Sequence, residues 1–477
     1  MSQLHEACAR GDLEEVTLLL SNNDCEINTQ DNCGATPLHI ASKHGQLEVV
    51  QACLSRRGCN LNIPDQNGNS PLHIASMHSH NPIVEVLVAD QRCWLNAKNC
   101  DGNTPLHFAC YTRSISCIKL LLDWRCSTII SNKKGETAQE IPLNEGGDCL
   151  LHVACLWGDV GIVRHLITDE GCNINIQNES NDTPLHIACY RKSLEITRLL
   201  LEWRCSTTIP NKKGKTAQEI PLNERGGCLL YFACQWGDVD IFRYLTTHQR
   251  DLNIQDAYGN TPLHIACHEK SFGIIRLLLE RRCITNIPNS IGETAQEIQL
   301  NNDGDCLLHI ACKWGDMDTV KYLITDQGCS PNVQNTSRDT PLHIAIRYHQ
   351  TAIVSQLLAN ELCNSNLQNE QAETPLHIAC ELGCLDVVKL LISRQSCQLD
   401  IQNREGETPL HIASERGDLD TVKVLVRSEK CNLNIANKSG NTPLHIACHT
   451  KEMTIIRLLL DRKCSTNIPN KKGETAR

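Results

Sequence analysis

Twelve histidines recur at one position of a repeated hexapeptide, and histidine is a common metal ligand and proton carrier near neutral pH. These are His5, His39, His73, His107, His152, His186, His264, His309, His343, His377, His411 and His445, and Tyr231 replaces one. A row of histidines could bind metal or relay protons. A polar ring near each helix start can also hydrogen-bond to the backbone or to the threonine of a neighbouring turn. We favour this structural role and predict no metal site.

Most of the 29 cysteines occupy two fixed positions of the repeat. Twelve follow a second helix: Cys25, Cys59, Cys93, Cys126, Cys172, Cys205, Cys283, Cys329, Cys363, Cys397, Cys431 and Cys464. Nine follow the hexapeptide or its variant: Cys8, Cys110, Cys155, Cys189, Cys234, Cys267, Cys312, Cys380 and Cys448. Stacked helices lie roughly 8–10 Å apart, whereas a disulfide needs Cα atoms within about 7 Å. We therefore interpret these thiols as small buried hydrophobic side chains.

The motifs of enzymes are absent. Gly214-Lys-Thr216 resembles the end of a phosphate-binding loop, but that motif requires a glycine where this chain has Ile209. The sequence contains no H-E-x-x-H, G-x-S-x-G, G-x-G-x-x-G or C-x-x-C pattern. We predict a protein that is not an enzyme, with no catalytic residues, no metal site and no cofactor.

The hexapeptide TPLHIA describes how a helix starts. In the copy at 183–188, Thr183 can cap the free backbone N–H groups, and Pro184 suits the first helical position. Leu185 and Ala188 then share one apolar face. Copies begin every 34 residues at Thr340, Thr374, Thr408 and Thr442. A period of this length indicates a stacked array of repeats.

Each unit runs from a turn through the TPLH helix, a short loop and a Val/Leu-rich helix to a segment such as Gly58-Cys-Asn-Leu-Asn62. This unit resembles the ankyrin repeat, with cysteine in place of the usual alanine after the second helix. The resemblance implies an all-α helix-turn-helix solenoid with short β-turn or hairpin tips, and a structural role for the recurrent histidine. Thirteen helix pairs are predicted, starting at Ser2, Thr36, Ser70, Thr104, Cys149, Thr183, Cys228, Thr261, Cys306, Thr340, Thr374, Thr408 and Thr442.

Three insertions, which we call the stubs, interrupt the array at 137–148, 216–227 and 294–305. Each begins Thr-Ala-Gln-Glu-Ile and is followed by a new start after 12 residues. We predict half repeats that act as hinges, with integrated layers as the alternative. Three tryptophans that directly follow the stubs are expected to cover them: Trp157, Trp236 and Trp314. The stubs divide the chain into an N-terminal block 1–136, an interrupted block 137–305 and a C-terminal block 306–477.

The formal charge of −10, from 45 basic and 55 acidic residues, argues against a general nucleic-acid binder. The first ten residues lack a signal segment, and no apolar run approaches the ~18–20 residues of a membrane span. We expect a monomer that does not insert into membranes and that resides in the cytoplasm, with the nucleus as the alternative.

In such arrays the turn tips and the exposed side of the first helices line a concave groove. Aromatic and cationic residues of the types enriched at interfaces follow the hexapeptide there: Tyr111, Tyr190, His268, Arg347, Tyr348 and His449. We predict that they bind a partner protein, with a merely solvated face as the alternative. The chain would then be an interaction scaffold. It could instead be the regulatory or targeting arm of a larger signalling protein, because the sequence stops inside a fourth stub at 470–477.

Overall fold

A computed structural model of the chain describes residues 2–22, 25–247 and 251–476. Within these residues it contains 26 α-helices in thirteen pairs and no β-strand, which confirms the predicted all-α repeat fold and the number of pairs. None of these helices is long and apolar enough to cross a membrane. The chain forms two compact units that divide between Leu229 and Leu230. The division into blocks 1–136, 137–305 and 306–477 stays a prediction.

The first helices begin at the expected residues. They span Gln3–Arg10 (α1), Pro37–His44 (α3), Pro71–Met77 (α5), Pro105–Tyr111 (α7), Leu150–Trp157 (α9), Pro184–Tyr190 (α11), Leu229–Trp236 (α13), Pro262–His268 (α15), Leu307–Trp314 (α17), Pro341–Arg347 (α19), Pro375–Glu381 (α21), Pro409–Glu415 (α23) and Pro443–Thr450 (α25).

The second helices pack against them. They span Leu13–Ser21 (α2), Leu47–Ser55 (α4), Asn81–Ala89 (α6), Ile115–Asp123 (α8), Val160–Thr168 (α10), Leu194–Glu202 (α12), Val239–Thr246 (α14), Phe272–Glu280 (α16), Met317–Lys321 (α18), Thr351–Ala359 (α20), Leu385–Ser393 (α22), Leu419–Arg427 (α24) and Met453–Asp461 (α26). A π-helical turn, Tyr322–Asp326, continues α18.

Each TPLH helix is capped as its sequence predicts. In α11, Thr183 has an extended backbone, and its hydroxyl accepts from the backbone N–H of His186 at 3.5 Å. Pro184 occupies the first turn, where no N–H is needed. Leu185 and Ala188 are completely buried. The cap therefore fixes where the helix begins and which face enters the core.

The repeated histidine links each layer to the next. The Nδ1 atom of His411 accepts from the backbone N–H of Thr408 at 3.1 Å, and its Nε2 atom lies 3.0 Å from the carbonyl of Asn441. A backbone N–H can only donate and a carbonyl can only accept, so the ring must be neutral with its proton on Nε2. All twelve rings make this second contact, at 2.9–3.2 Å. The structural role of the histidines is confirmed.

Tyr231 takes the place of the histidine in one repeat of the second unit and bonds to the next layer. Its hydroxyl lies 2.9 Å from the carbonyl of Asn260 and 2.6 Å from that of Ile254. The carbonyl of Asn260 stands immediately before the next cap, where Nε2 binds in the other repeats. Tyrosine thus reproduces the bond between layers with a different donor.

The turn tips are joined by a second row of hydrogen bonds, made by asparagines five residues before the cap. Asn335 accepts from the N–H of Asp339 at 2.9 Å through Oδ1, and its Nδ2 donates to Asp305 of the preceding layer at 2.7 Å. Eight such bonds between layers, 2.7–3.1 Å long, come from Asn99, Asn132, Asn178, Asn211, Asn289, Asn335, Asn369 and Asn470. A side-chain amide can do both at once, because its oxygen accepts within its own turn while its NH2 group donates to the neighbour.

The cysteines pack inside the stack. Of the 21 at the two repeated positions, 16 are buried, and the five half-buried ones are Cys25, Cys93, Cys172, Cys431 and Cys448. Burial raises the pKa of Cys59 and Cys329 to about 12, so these thiols stay protonated at neutral pH. The interpretation of the repeated cysteines as packing side chains is confirmed.

Each stub forms less helix than a helix start would suggest. In the first stub only a three-residue 3-10 turn, Ala138–Glu140, occurs, and Ile141 is already extended. Pro142 favours that conformation, but Ile298 of the third stub is equally extended before Gln299, so proline is not required. The 3-10 turn contacts both α7 and α9. Three apolar side chains of the first stub are buried: Ala138, Ile141 and Leu143.

Ala295, Ile298 and Leu300 of the third stub are buried, and the predicted cover of this stub by Trp314 stays a prediction. The Trp314 ring packs edge to face on Phe272 of α16, with the ring centres 6.3 Å apart. This tryptophan therefore supports the second helix of the preceding pair. Trp157 is half-buried at the end of α9, and its predicted contact with the first stub stays a prediction.

We expect the stability of the fold to fall as the pH drops from about 6.5 to 4. Burial lowers the pKa of His73, His343, His377 and His411 from the ordinary 6.5 to about 4. Between pH 6.5 and 4 these histidines bind protons in the unfolded chain, whereas the folded rings stay neutral. Each neutral ring thus contributes on the order of 3 kcal/mol to the free energy of unfolding above the unfolded pKa, and this contribution is lost as the pH falls to about 4.

Urea unfolding followed by circular dichroism at about pH 7.5 and pH 4.5 measures this loss. His411→Gln removes one titrating ring and should reduce the difference in the free energy of unfolding between the two pH values. The exposed His44 provides the matched control, because His44→Gln should leave that difference unchanged. Equal pH dependence in both variants would contradict neutral buried rings.

We also expect the stubs to open locally more often than complete repeats, because a 3-10 turn provides few backbone hydrogen bonds. Hydrogen exchange read by mass spectrometry should show faster exchange at 137–148 than at 374–413. Leu143→Ala should accelerate exchange at 137–148 further, since it leaves a cavity that costs roughly 2–5 kcal/mol. Leu18→Ala removes an exposed leucine, 74% accessible, and should have no such effect. Uniform protection along the chain would mean that the stubs are integrated layers.

Candidate partner-binding surface

The six predicted contact residues lie where the first helices end. Five of them stand seven residues after the cap: Tyr111, Tyr190, His268, Arg347 and His449. Tyr348 follows Arg347 as the C-cap of α19. All are exposed or partly exposed, with accessible fractions of 42%, 46% and 44% for the three tyrosines. We call this row of side chains, with the turn residues that they touch, the tip surface.

In the first unit, two tyrosines are held by the turn of the next layer. The hydroxyl of Tyr111 donates to Glu136 Oε2 at 2.7 Å and accepts from Asn132 Nδ2 at 3.0 Å. The hydroxyl of Tyr190 accepts from Asn211 Nδ2 at 2.9 Å. Burial and the Glu136 carboxylate raise the pKa of Tyr111 to about 12, so the phenol stays protonated. Each ring is thus fixed at its polar end and exposed on its apolar face.

In the second unit, ion pairs replace the phenols. His268 Nε2 lies 3.4 Å from Glu293 Oε2. The Arg347 guanidinium lies between two carboxylates, 3.7 Å from Asp339 and 3.5 Å from Glu373. The His268 contact is open to water, whereas the two carboxylates that face Arg347 are largely buried.

Lys313 is a member of this surface that sequence reasoning missed. Its ammonium lies 5.1 Å from the centre of the Tyr348 ring, a cation–π contact. Lys313 stands seven residues after Cys306, so counting from the cysteine caps as well as from the threonine caps would have found it. Glu381 and Glu415 stand at the same position, seven residues after the Thr374 and Thr408 caps. The anchoring asparagines Asn132 and Asn211 also carried a signal, since asparagine recurs five residues before the cap.

A cavity of about 480 Å³ opens on the tip surface of the second unit. Five carboxylates and two cations line it: Asp303, Asp305, Asp339, Glu373, Glu381, Lys313 and Arg347. Tyr348 and Ile344 provide its apolar part. Such a lining is suited to charged side chains of a polypeptide rather than to an apolar small molecule.

A family model described as ankyrin repeats (3 copies) matches residues 4–99, 91–167, 151–256, 218–289, 308–403 and 394–470. The matches together cover most of the chain, including the first two stubs, whereas the third stub at 294–305 lies between two matches.

Three curated proteins illustrate the similarity. Mouse Rabankyrin-5 is 28% identical over 158 residues, which are 28% of this chain and 13% of that protein. Human ankyrin repeat and SOCS box protein 16 is 27% identical over 194 residues, 34% of this chain and 42% of that protein. Transient receptor potential cation channel subfamily A member 1 of Drosophila melanogaster is 25% identical over 199 residues, 40% of this chain and 16% of that protein.

The chain spans less than half of the length of each of these relatives. What they share with it is therefore the repeat array. The capped helix pairs, the histidine bonds between layers and the family match agree with one another. The chain belongs to the ankyrin repeat family.

Proposed function

We propose that this chain is a non-catalytic scaffold that binds partner proteins through the tip surface. The observation that carries the proposal is that, in each unit, exposed rings and cations at the ends of first helices are fixed by hydrogen bonds and ion pairs to neighbouring turns. Rings already held in place lose little conformational entropy on binding, which favours affinity. Aromatic and arginine side chains also provide much of the binding energy at protein interfaces.

The other properties of the chain support a protein partner. A net charge of −10 disfavours the phosphate backbone of nucleic acids. The 29 cysteines suit a reducing compartment, where thiols persist, and we therefore place the protein in the cytoplasm or the nucleus. We propose a monomer without cofactor.

A second candidate function is that of a regulatory or targeting arm within a longer protein. The observation that favours it is the small share of each relative that the similarity covers, 13% of Rabankyrin-5 and 16% of the channel. In those proteins the similar repeats are one part of a longer chain. The tip surface would bind partners in the same way in either case.

Replacement of Tyr111 or Tyr190 by alanine should weaken binding of a partner by about 1–2 kcal/mol each, with little loss of stability. Proteins captured from cell extract on the intact chain would be identified by mass spectrometry. The affinity of a captured partner would then be measured by calorimetry for each variant.

Leu362 is the matched control, because it is 74% accessible and lies in a loop outside the tip surface. Leu362→Ala should bind as tightly as the unmodified chain. If this variant loses the partner and the tyrosine variants keep it, another face binds. If the tyrosine variants melt at much lower temperature, the rings are structural and the proposal fails.

A further inference from the structure

The turn tips are also joined by backbone hydrogen bonds, and this row of bonds is broken at the stubs. Between complete repeats, an N–H of each tip donates to a carbonyl of the tip before it, as Lys212 does to Ser180 at 2.9 Å. Within the described residues, no N–H reaches the corresponding carbonyls of the three tips that precede a stub, those of Lys134, Lys213 and Ile291. Each of these tips therefore has an unused carbonyl on the side of the stub.

Open space lies beside the same carbonyls. Where the row is closed, a Cβ atom added to Gly406 would lie 2.8 Å from the backbone nitrogen of Lys438 in the next tip. The equivalent glycines of the three tips that precede a stub have no atom within 4 Å of that position: Gly135, Gly214 and Gly292. The asparagine bonds stop there too, since Asn144 of the first stub donates to Asp148 of its own turn. We call these three places the tip openings.

The tip opening of the second stub is surrounded by lysines. Four are exposed there, and in the part of the chain that the structure describes none of them forms an ion pair: Lys192, Lys212, Lys213 and Lys215. Asp182 and Glu219, the carboxylates that flank this tip, are already used by the chain. Asp182 accepts from Asn211 Nδ2 at 2.9 Å, and Glu219 accepts from the backbone N–H of Thr216 at 2.8 Å. This opening is therefore basic, although the whole chain carries a net charge of −10.

Tyr190 stands beside this opening with a hydroxyl hydrogen that the chain does not use. In the first stub, residues of the same register line a cavity of about 300 Å³, and there Tyr111 donates to the Glu136 carboxylate at 2.7 Å. Lys215 takes the place of Glu136 in the second stub. The Tyr190 hydroxyl accepts from Asn211 Nδ2 at 2.9 Å, and no described residue accepts from it. A phenol and a lysine in this register are suited to a carboxylate from outside the chain.

We propose that the tip opening of the second stub binds an acidic, extended segment of a partner protein; the inference rests on the scaffold function proposed above. A backbone N–H of the segment donates to the Lys213 carbonyl, as the next tip does where the row is closed. An aspartate or glutamate of the segment accepts from Tyr190 and pairs with Lys215. The phosphodiester backbone of DNA has no N–H, so a polypeptide can satisfy both groups and DNA only the cations.

The test uses the full chain and a fluorescein-labelled hexaglutamate peptide, with binding measured by fluorescence anisotropy. Lys215→Glu recreates in the second stub the pair formed by Tyr111 and Glu136, and it should weaken peptide binding at least about fivefold. Lys438→Glu is the matched control, since it makes the same charge change on an exposed tip where the row is closed, and it should alter affinity less than about twofold.

Equal weakening by the two variants would overturn the inference, since the peptide would then follow net charge alone. Lys215→Glu should unfold no more readily than the unmodified chain, because the first stub contains the same pair. If it does unfold more readily, Lys215→Gln provides the test and should weaken binding about threefold.

A second peptide tests the backbone bond. Hexaglutamate that is N-methylated at every residue keeps its charge and loses its backbone donors. It should bind the unmodified chain at least about threefold more weakly than the first peptide, and this difference should vanish in Lys215→Glu. Equal binding of the two peptides, or equally effective displacement of the first peptide by hexathymidylate DNA, would show that any anion suffices and that an extended polypeptide is the wrong occupant.

The failure of this inference differs from failure of the scaffold function. If a captured partner depends on Tyr111 but binds Lys215→Glu unchanged, the tip surface binds partners and the acidic segment is wrong. If Tyr111→Ala and Tyr190→Ala also bind the partner unchanged, the scaffold function itself fails.

Discussion

The structure depends on a hydrogen bond from a buried, neutral histidine to the carbonyl just before the next helix start. That carbonyl also accepts from a backbone N–H of its own turn, as Asn441 does from Asn437 at 2.8 Å, so the histidine adds the bond that reaches it from the preceding layer. The same ring accepts from the backbone N–H of its own cap, so one side chain completes a helix start and joins two layers. In the second unit, the Tyr231 hydroxyl makes the bond between layers in place of the histidine.

Fixing the helix start also fixes the tips. Once the residue before each cap is held by the histidine, the asparagine four residues earlier can donate to the layer behind it. The end of a seven-residue helix then reaches the following turn, as Tyr111 reaches Glu136. The tip surface is therefore a consequence of the bonds that stack the repeats, and the residue type seven positions after the cap decides its chemistry.

Much of this could be predicted from the sequence, because threonine, proline and histidine at fixed spacing each have one dominant role at a helix start. The helix pairs, their caps and the packed cysteines followed from that spacing. The 3-10 turns of the stubs did not, since Thr-Ala-Gln-Glu has the propensity of a helix whereas the backbone is already extended at the isoleucine that follows. The contacts of Arg347 with Glu373 and of Lys313 with Tyr348 could not be predicted from the local sequence either, because they join residues of different layers.

The protonation state of the twelve histidines tests the central claim most directly. Two-bond proton–nitrogen correlation spectra of the chain labelled with ¹⁵N-histidine report which ring nitrogen carries the proton. We predict that the rings of His73, His343, His377 and His411, whose pKa burial lowers to about 4, remain neutral with the proton on Nε2 at about pH 5.5. Protonation of these four rings near pH 6.5, the ordinary value for histidine, would contradict the account.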